Sequence, residues 1–218
     1  MMRSLFLPAA LLLVLVAASC SFIPGRGDGS VLEFDGATEQ TVGMGESIPG
    51  SNIRFVGYSD LGAEVLIDDQ RAVKKQGDSL DWKATLAPGV DVSMPLRIIL
   101  ADESRLQTVG TVQVTISNAN PQPAVVPPGA AYSYKVAMGH TVRKGDRIPG
   151  TTITFRGKSD EGAQFEGVDG YPYRRIGDSV TWTGRLNNHA HMETTMRVAA
   201  YTEDLLTLAG LAEIKVTP

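Results

Sequence analysis

Apolar and polar residues alternate along much of the chain with a period of two. Residues 52–56 and 152–156 each place an isoleucine and a phenylalanine at alternate positions. This period is typical of β-strands that bury one face and expose the other. The same reading predicts strands at residues 80–84, 94–100 and 111–116, and again at 180–184, 196–201 and 211–216. The best helical candidate, residues 203–211, has a counterpart at residues 103–111 that favours a turn and a strand.

The pattern occurs twice because the chain is an internal repeat. Residues 41–117 align with residues 141–217 at a fixed offset of 100 positions, without a gap. Turn motifs such as Ile-Pro-Gly, Ser-Asp-x-Gly-Ala and Gly-Asp-Ser recur, as does a tryptophan. We therefore predict copy one at residues 31–117 and copy two at residues 131–218. The linker, residues 118–130, is rich in proline, which favours an extended, semi-rigid spacer.

Short strands separated by regular turns predict an all-β fold, either a sandwich or a small barrel. The stretch LDWKATLAPGVDV at residues 80–92 resembles the immunoglobulin-like repeats of bacterial cell-surface proteins, in which a tryptophan-bearing strand precedes a Pro-Gly turn and two closing strands. That resemblance implies two tandem immunoglobulin-like β-sandwich modules. The Gly-x-x-Ile-Pro-Gly turn near the start of each copy suggests two small SH3-like β-barrels as the alternative.

The N-terminus has the layout of a secretory signal peptide. One arginine precedes an apolar run at residues 5–18, which is too short to span a bilayer. Residues 16–20 (VAASC) resemble a bacterial lipobox and end at Cys20, the only cysteine of the chain. The resemblance implies cleavage after residue 19 and acylation of Cys20, with residues 20–30 as a flexible tether. We therefore expect a bacterial cell-envelope protein anchored to the lipid bilayer through Cys20 and facing away from the cytoplasm; ordinary cleavage and secretion is the alternative.

Charge and motifs narrow the possible functions. Removing residues 1–19 removes one of the 20 basic residues and none of the 24 acidic ones, which leaves a net charge of −5. This acidic balance argues against a nucleic-acid partner. The sequence has no nucleophile elbow, no metalloprotease helix motif and no phosphate-binding loop. We therefore predict a protein that is not an enzyme and that uses no cofactor.

The two copies differ most at residues 170–175. Copy two has Tyr171, Tyr173, Arg174 and Arg175 there, and its tyrosines have no counterpart in copy one. Tyrosine and arginine are enriched at protein interfaces. These four residues are the predicted binding surface, and an exposed edge strand is the simpler interpretation.

Other recurring residues favour structural roles. Trp82 and Trp182 fall on the apolar side of their strands, which predicts core packing. Arg97 and Arg197 lie in otherwise apolar strands, and we expect a surface position or an ion pair for each.

Metal sites are not predicted. Asp60 and Asp160 stand at predicted hairpin tips, but calcium needs six to eight oxygen ligands. His189 and His191 would share one side of an extended segment, yet a zinc site needs a third ligand, which the sequence does not supply.

Together these observations predict a non-catalytic, membrane-anchored envelope lipoprotein that acts as a structural or protein-interaction module. Its partner would be an envelope protein or a surface ligand. The alternative is a carrier or sensor that binds a small molecule or glycan, for example in the groove between the two copies.

Overall fold

Every regular element in the computed structural model, which describes residues 31–218, is a β-strand. The all-β prediction is therefore confirmed, and the helical candidate at residues 203–211 lies in a turn and a strand. The strands are β1 (Val31–Gly43), β2 (Ile53–Ser59), β3 (Gly62–Ile67), β4 (Gln70–Lys74), β5 (Ser79–Ala87), β6 (Val90–Ala101), β7 (Arg105–Ser117), β8 (Gln122–Pro123), β9 (Tyr132–Arg143), β10 (Thr154–Ser159), β11 (Gly162–Glu166), β12 (Tyr173–Arg174), β13 (Ser179–Arg185), β14 (Ala190–Tyr201) and β15 (Leu205–Val216).

Each copy consists of a large and a small antiparallel sheet. In copy one the large sheet has the order β1-β7-β6-β5 and the small sheet the order β2-β3-β4. The small sheet contributes Phe55 and Val65 to the core, and the large sheet contributes Trp82 and Val114. Copy two repeats the plan with β8-β13-β14-β15-β9 and β10-β11-β12. No sheet in residues 31–218 closes on itself, so the arrangement is sandwich-like and the barrel alternative is not adopted.

Part of the predicted linker pairs with the large sheet of copy two. Its strand β8 lies along the edge of β13, where Pro123 is opposite Gly184. The amide of Asn120 donates to the carbonyl of Leu186 at 2.7 Å. A Cβ atom on Gly184 would lie 2.3 Å from the carbonyl oxygen of Gln122. The linker can therefore lie against β13 only because residue 184 has no side chain.

The two copies are joined by a pair of equivalent contacts. The hydroxyl of Tyr134 in copy two donates to the carbonyl oxygen of Gly50 in copy one at 2.6 Å. In the reverse direction, the ring of Phe34 in copy one lies 3.4 Å from the Cβ position of Gly150 in copy two. Phe34 and Tyr134 are equivalent in the repeat, and so are the two glycines. Each copy therefore places the aromatic residue of its first strand on the Ile-Pro-Gly turn of the other, as in an isologous dimer.

Strands β1 and β9 meet at the centre of this contact. A Cβ atom on Gly36 would lie 3.0 Å from the Cα atom of Val136, its own repeat equivalent. Contact between equivalent positions indicates a local pseudo-twofold axis there. Buried residues from both copies consequently belong to one continuous core.

The predicted signal peptide, the tether and Cys20 lie outside the described residues. Within residues 31–218, we find no helix with the length and apolar character needed to cross a membrane.

Candidate functional site

Arg174, one of the predicted binding residues, is hydrogen-bonded to the backbone around it. Its Nε atom donates to the carbonyl of Ser179 at 3.0 Å, and its Nη1 atom donates to the carbonyls of Tyr173 and Tyr171. Its Nη2 atom reaches the carbonyl of Asp169 at 3.4 Å. The guanidinium thus holds the loop around β12 in place, and few of its donors remain for a ligand.

Of the two tyrosines in the same segment, Tyr171 is exposed and Tyr173 is half-buried. Tyr171 is 59% exposed, and its ring packs at a tilt on Tyr173 with 5.4 Å between centroids. Its hydroxyl donates to Glu161 at 2.8 Å, and this bond to a carboxylate raises the pKa of Tyr171. Arg175 is exposed, and its backbone amide donates to Asp178. Binding by Tyr171, Tyr173, Arg174 and Arg175 stays a prediction.

Both tryptophans are buried, which confirms their predicted role in the core. Their indole nitrogens also find acceptors, as buried donors generally do. In copy one Trp82 donates to Asp68 at 3.3 Å, and in copy two Trp182 donates to Thr152 at 3.0 Å.

The two recurring arginines lie on the surface and bind a turn. Arg197 donates from Nη1 to the carbonyl of Gly177 at 2.9 Å, and Arg97 makes the same bond to Gly77. Each arginine therefore fixes the Gly-Asp-Ser turn of its own copy, a backbone role that the sequence did not reveal.

The candidate metal ligands are dispersed. Asp60 and Asp160 stand in the β2–β3 and β10–β11 turns. His189 precedes β14 and binds the carbonyl of Thr217 through Nδ1 at 3.1 Å. His191 lies in β14, where burial and then the charge of Arg185 lower its pKa. No group of three metal-ligating side chains occurs among the described residues.

A polar cleft of about 430 Å³ lies where the two copies meet. Asn187 of copy two bridges its floor by donating to the carbonyls of Gly89 and Ser117 in copy one, at 3.3 and 3.4 Å. Most of the residues that line the cleft have side chains with hydrogen-bonding groups. Beyond those three residues the lining comprises Pro88, Asn118, Asn120, Arg185, Asn188 and His189.

The small sheet of copy one exposes apolar side chains that the sequence analysis did not single out. We call Val56, Tyr58, Leu61, Leu66 and Val73 the copy-one patch. Three of them are strongly exposed: Tyr58 at 45%, Leu61 at 68% and Val73 at 46%. Strands β3 and β4 are antiparallel, and Leu66 pairs with Arg71. Val73 is two residues beyond Arg71, so it is the diagonal neighbour of Leu66 on the outer face.

Copy two has mostly charged residues at the same places. Arg156 and Glu166 replace Val56 and Leu66 and form an ion pair there, with Nε and Oε2 2.6 Å apart. The remaining equivalents are Lys158, Glu161 and Tyr173. Comparing the two copies position by position would have found this difference in the sequence, since it needs only the alignment and the strand assignment.

Comparison with known proteins finds no matching family model, no matching curated protein and no matching solved structure.

Proposed function

We propose that this protein is a non-catalytic bacterial envelope lipoprotein, anchored through Cys20, whose two immunoglobulin-like modules bind a partner protein. The copy-one patch is the observation that carries the proposal. The two copies share one strand plan but differ on the small sheet, where the Arg156–Glu166 ion pair of copy two replaces Val56 and Leu66 of copy one.

Apolar side chains on the surface contribute free energy to binding when a partner removes them from water. Covering a leucine or tyrosine of the patch would contribute about 1–2 kcal/mol to binding. The ion pair of copy two shows that the fold accommodates charge at these positions. Exposed apolar side chains beside arginine side chains are therefore best explained by a protein partner.

Site-specific photo-crosslinking in the native bacterium tests the patch. A photoreactive residue replaces Leu61 in the full-length protein, and the matched control replaces its repeat equivalent Glu161. We expect a defined protein adduct from position 61 that position 161 does not give. Equal adducts, or none at position 61, would contradict the patch as the interface. A third site at Tyr171 tests the surface predicted from the sequence.

The anchor has a separate test. The intact mass of the membrane-extracted protein should match the chain from Cys20 onward with attached acyl chains. Cys20→Ser should move the protein out of the membrane fraction. An unmodified Cys20 in the mature protein would refute the anchoring.

The cleft between the copies favours one other function, a carrier or sensor for a small anionic or glycan ligand. Arg185, His189 and the asparagines of the cleft could hydrogen-bond hydroxyl or carboxylate groups. The test is a screen of acidic and neutral oligosaccharides by NMR. A true hit should be weakened by Arg185→Ala and unaffected by Arg97→Ala, which changes an arginine bound to a turn elsewhere.

A further inference from the structure

Strand β4 is an open edge of the copy-one small sheet. It pairs with β3 and is the last strand on its side. Asp68 and Asp69 connect β3 to β4 with φ angles of 47° and 64°. Two left-handed residues in a two-residue loop make a type I′ hairpin, in which the pair flanking the turn, here Ile67 and Gln70, is hydrogen-bonded.

This geometry fixes which backbone groups point outward. Hydrogen-bonded and non-bonded pairs alternate along an antiparallel ladder. Because Gln70 and Ala72 bond to β3, the amide and carbonyl groups of Arg71 and Val73 point to the open side. Two donors and two acceptors therefore line the edge, and no hydrogen bond within residues 31–218 uses these two carbonyls.

Copy two closes the same edge. Tyr171 and Tyr173 are the equivalents of Arg71 and Val73, and their two carbonyls both accept hydrogen bonds from Nη1 of Arg174. Pro172 interrupts the strand, and β12 has two residues where β4 has five. The edge is thus capped by a side chain in one copy and left available in the other.

We propose that β4 binds an extended segment of a partner protein as an additional strand of the copy-one small sheet, which gives the interaction module of the preceding section a specific mode of recognition. The outward groups of Arg71 and Val73 would supply the backbone hydrogen bonds, as in other cases of strand addition. The copy-one patch lies beside this edge, since Val73 belongs to both.

Charge defines the chemistry of the segment. The exposed guanidinium of Arg71 is on the outer face, with Arg54 in the same cross-strand row and Lys75 just past the strand. Glu64 is the carboxylate of that face, and it is already ion-paired with Arg71. The half-buried Ala72 faces the core side. The segment should therefore alternate carboxylate residues, on the outer face, with apolar residues directed inward.

A synthetic peptide of alternating valine and glutamate, with blocked ends and a fluorescent label, is the probe. Binding to the full-length protein in detergent is followed by fluorescence anisotropy. Glutamates lying opposite Arg71 and Val73 would present their amides to β4, whereas the valine amides would point away. N-methylation of the glutamates should therefore weaken binding by about tenfold or more, and N-methylation of the valines should not. A valine–lysine peptide should also bind at least about tenfold more weakly.

Protein variants locate the site. Val73→Pro removes one outward donor and leaves the pairing with β3 intact, since proline is tolerated on edge strands. It should abolish binding, while the matched change Tyr173→Pro in copy two should not. If Val73→Pro fails to fold by thermal unfolding, the two methylated peptides still decide the question.

Several outcomes would overturn the proposal. Equal binding of the two methylated peptides, or no saturable binding of the parent peptide at millimolar concentration, excludes strand addition. Preference for the lysine peptide excludes the assigned chemistry. A different outcome is that sedimentation shows that the protein forms a dimer and that Val73→Pro makes it a monomer. That result would mean that β4 pairs with a second copy of this chain and not with a partner protein. None of these results depends on the crosslinks from position 61. The peptide experiments therefore test strand addition, and the crosslinks test the proposed function, independently of each other.

Discussion

His140 should make the protein lose stability in mild acid. The residue lies on the inner face of β9, opposite Leu208, and is 9% exposed. Burial disfavours the charged imidazolium and lowers the pKa of His140 from 6.5 to about 4. Between these pH values the unfolded chain binds a proton at this residue and the folded chain does not. Stability is therefore full above pH 6.5 and falls progressively as the pH drops toward 4.

The size of the effect follows from the pKa difference. At about 1.4 kcal/mol for each pH unit, His140 should account for a loss of about 3 kcal/mol of unfolding free energy by pH 4. His140→Gln is the matched variant, because copy one has Gln40 at the equivalent position. Glutamine does not titrate. Between pH 6.5 and pH 4 the variant should therefore lose about 3 kcal/mol less unfolding free energy than the wild type.

Urea unfolding at closely spaced pH values from 7.5 to 4, followed by tryptophan fluorescence, measures the difference. Asp102 and Glu203 have lowered pKa values and also weaken the fold in acid, but they do so equally in both proteins. The wild-type curve should fall more steeply than that of His140→Gln below pH 6.5. Parallel curves would refute the assignment of the acid sensitivity to this histidine.

Three further changes test the contacts within the fold, each by chemical denaturation. Tyr134→Phe removes the hydrogen bond from Tyr134 to Gly50 of the other copy and should cost about 1 kcal/mol; Tyr132→Phe is the control, and equal losses would contradict the contact. Gly184→Ala forces a Cβ atom against the linker strand and should cost about 1–3 kcal/mol, with faster amide exchange at Asn120; unchanged exchange would contradict the pairing. Arg174→Ala should cost about 2 kcal/mol, and Arg175→Ala almost nothing.

The sequence was sufficient to predict the strands whose alternation and turns recur. The buried tryptophans, the hairpin at Asp60 and the Gly-Asp-Ser turn follow from local patterning, which both copies share. The first strand of each copy was missed because the repeat is clear only from residue 41 onward. In β1 and β9 the copies contact each other, and there Phe34 and Gly36 have diverged from Tyr134 and Val136.

The candidate surfaces were harder to predict because they depend on where backbone groups point. The difference between the two copies predicted Arg174 in a binding surface, but it did not indicate that the guanidinium also hydrogen-bonds backbone carbonyls of its own loop. Which backbone groups of β4 point outward at Val73 follows from the two left-handed aspartates before the strand, a conformation that sequence periodicity does not report. The linker strand similarly depends on the absence of a side chain at Gly184.

Because the two copies belong to one chain, equivalent positions in their shared contact can hold different residues. In a dimer of identical chains, a substitution near the axis appears on both sides at once. Here Gly36 provides space that Val136 fills, and two valines would collide because a Cβ atom on Gly36 would lie 2.8 Å from the carbonyl oxygen of Lys135. A dimer of either copy alone would have two glycines or two valines at that place. Duplication therefore allowed a complementary pair that no symmetric ancestor could have contained, while the outer surfaces changed independently.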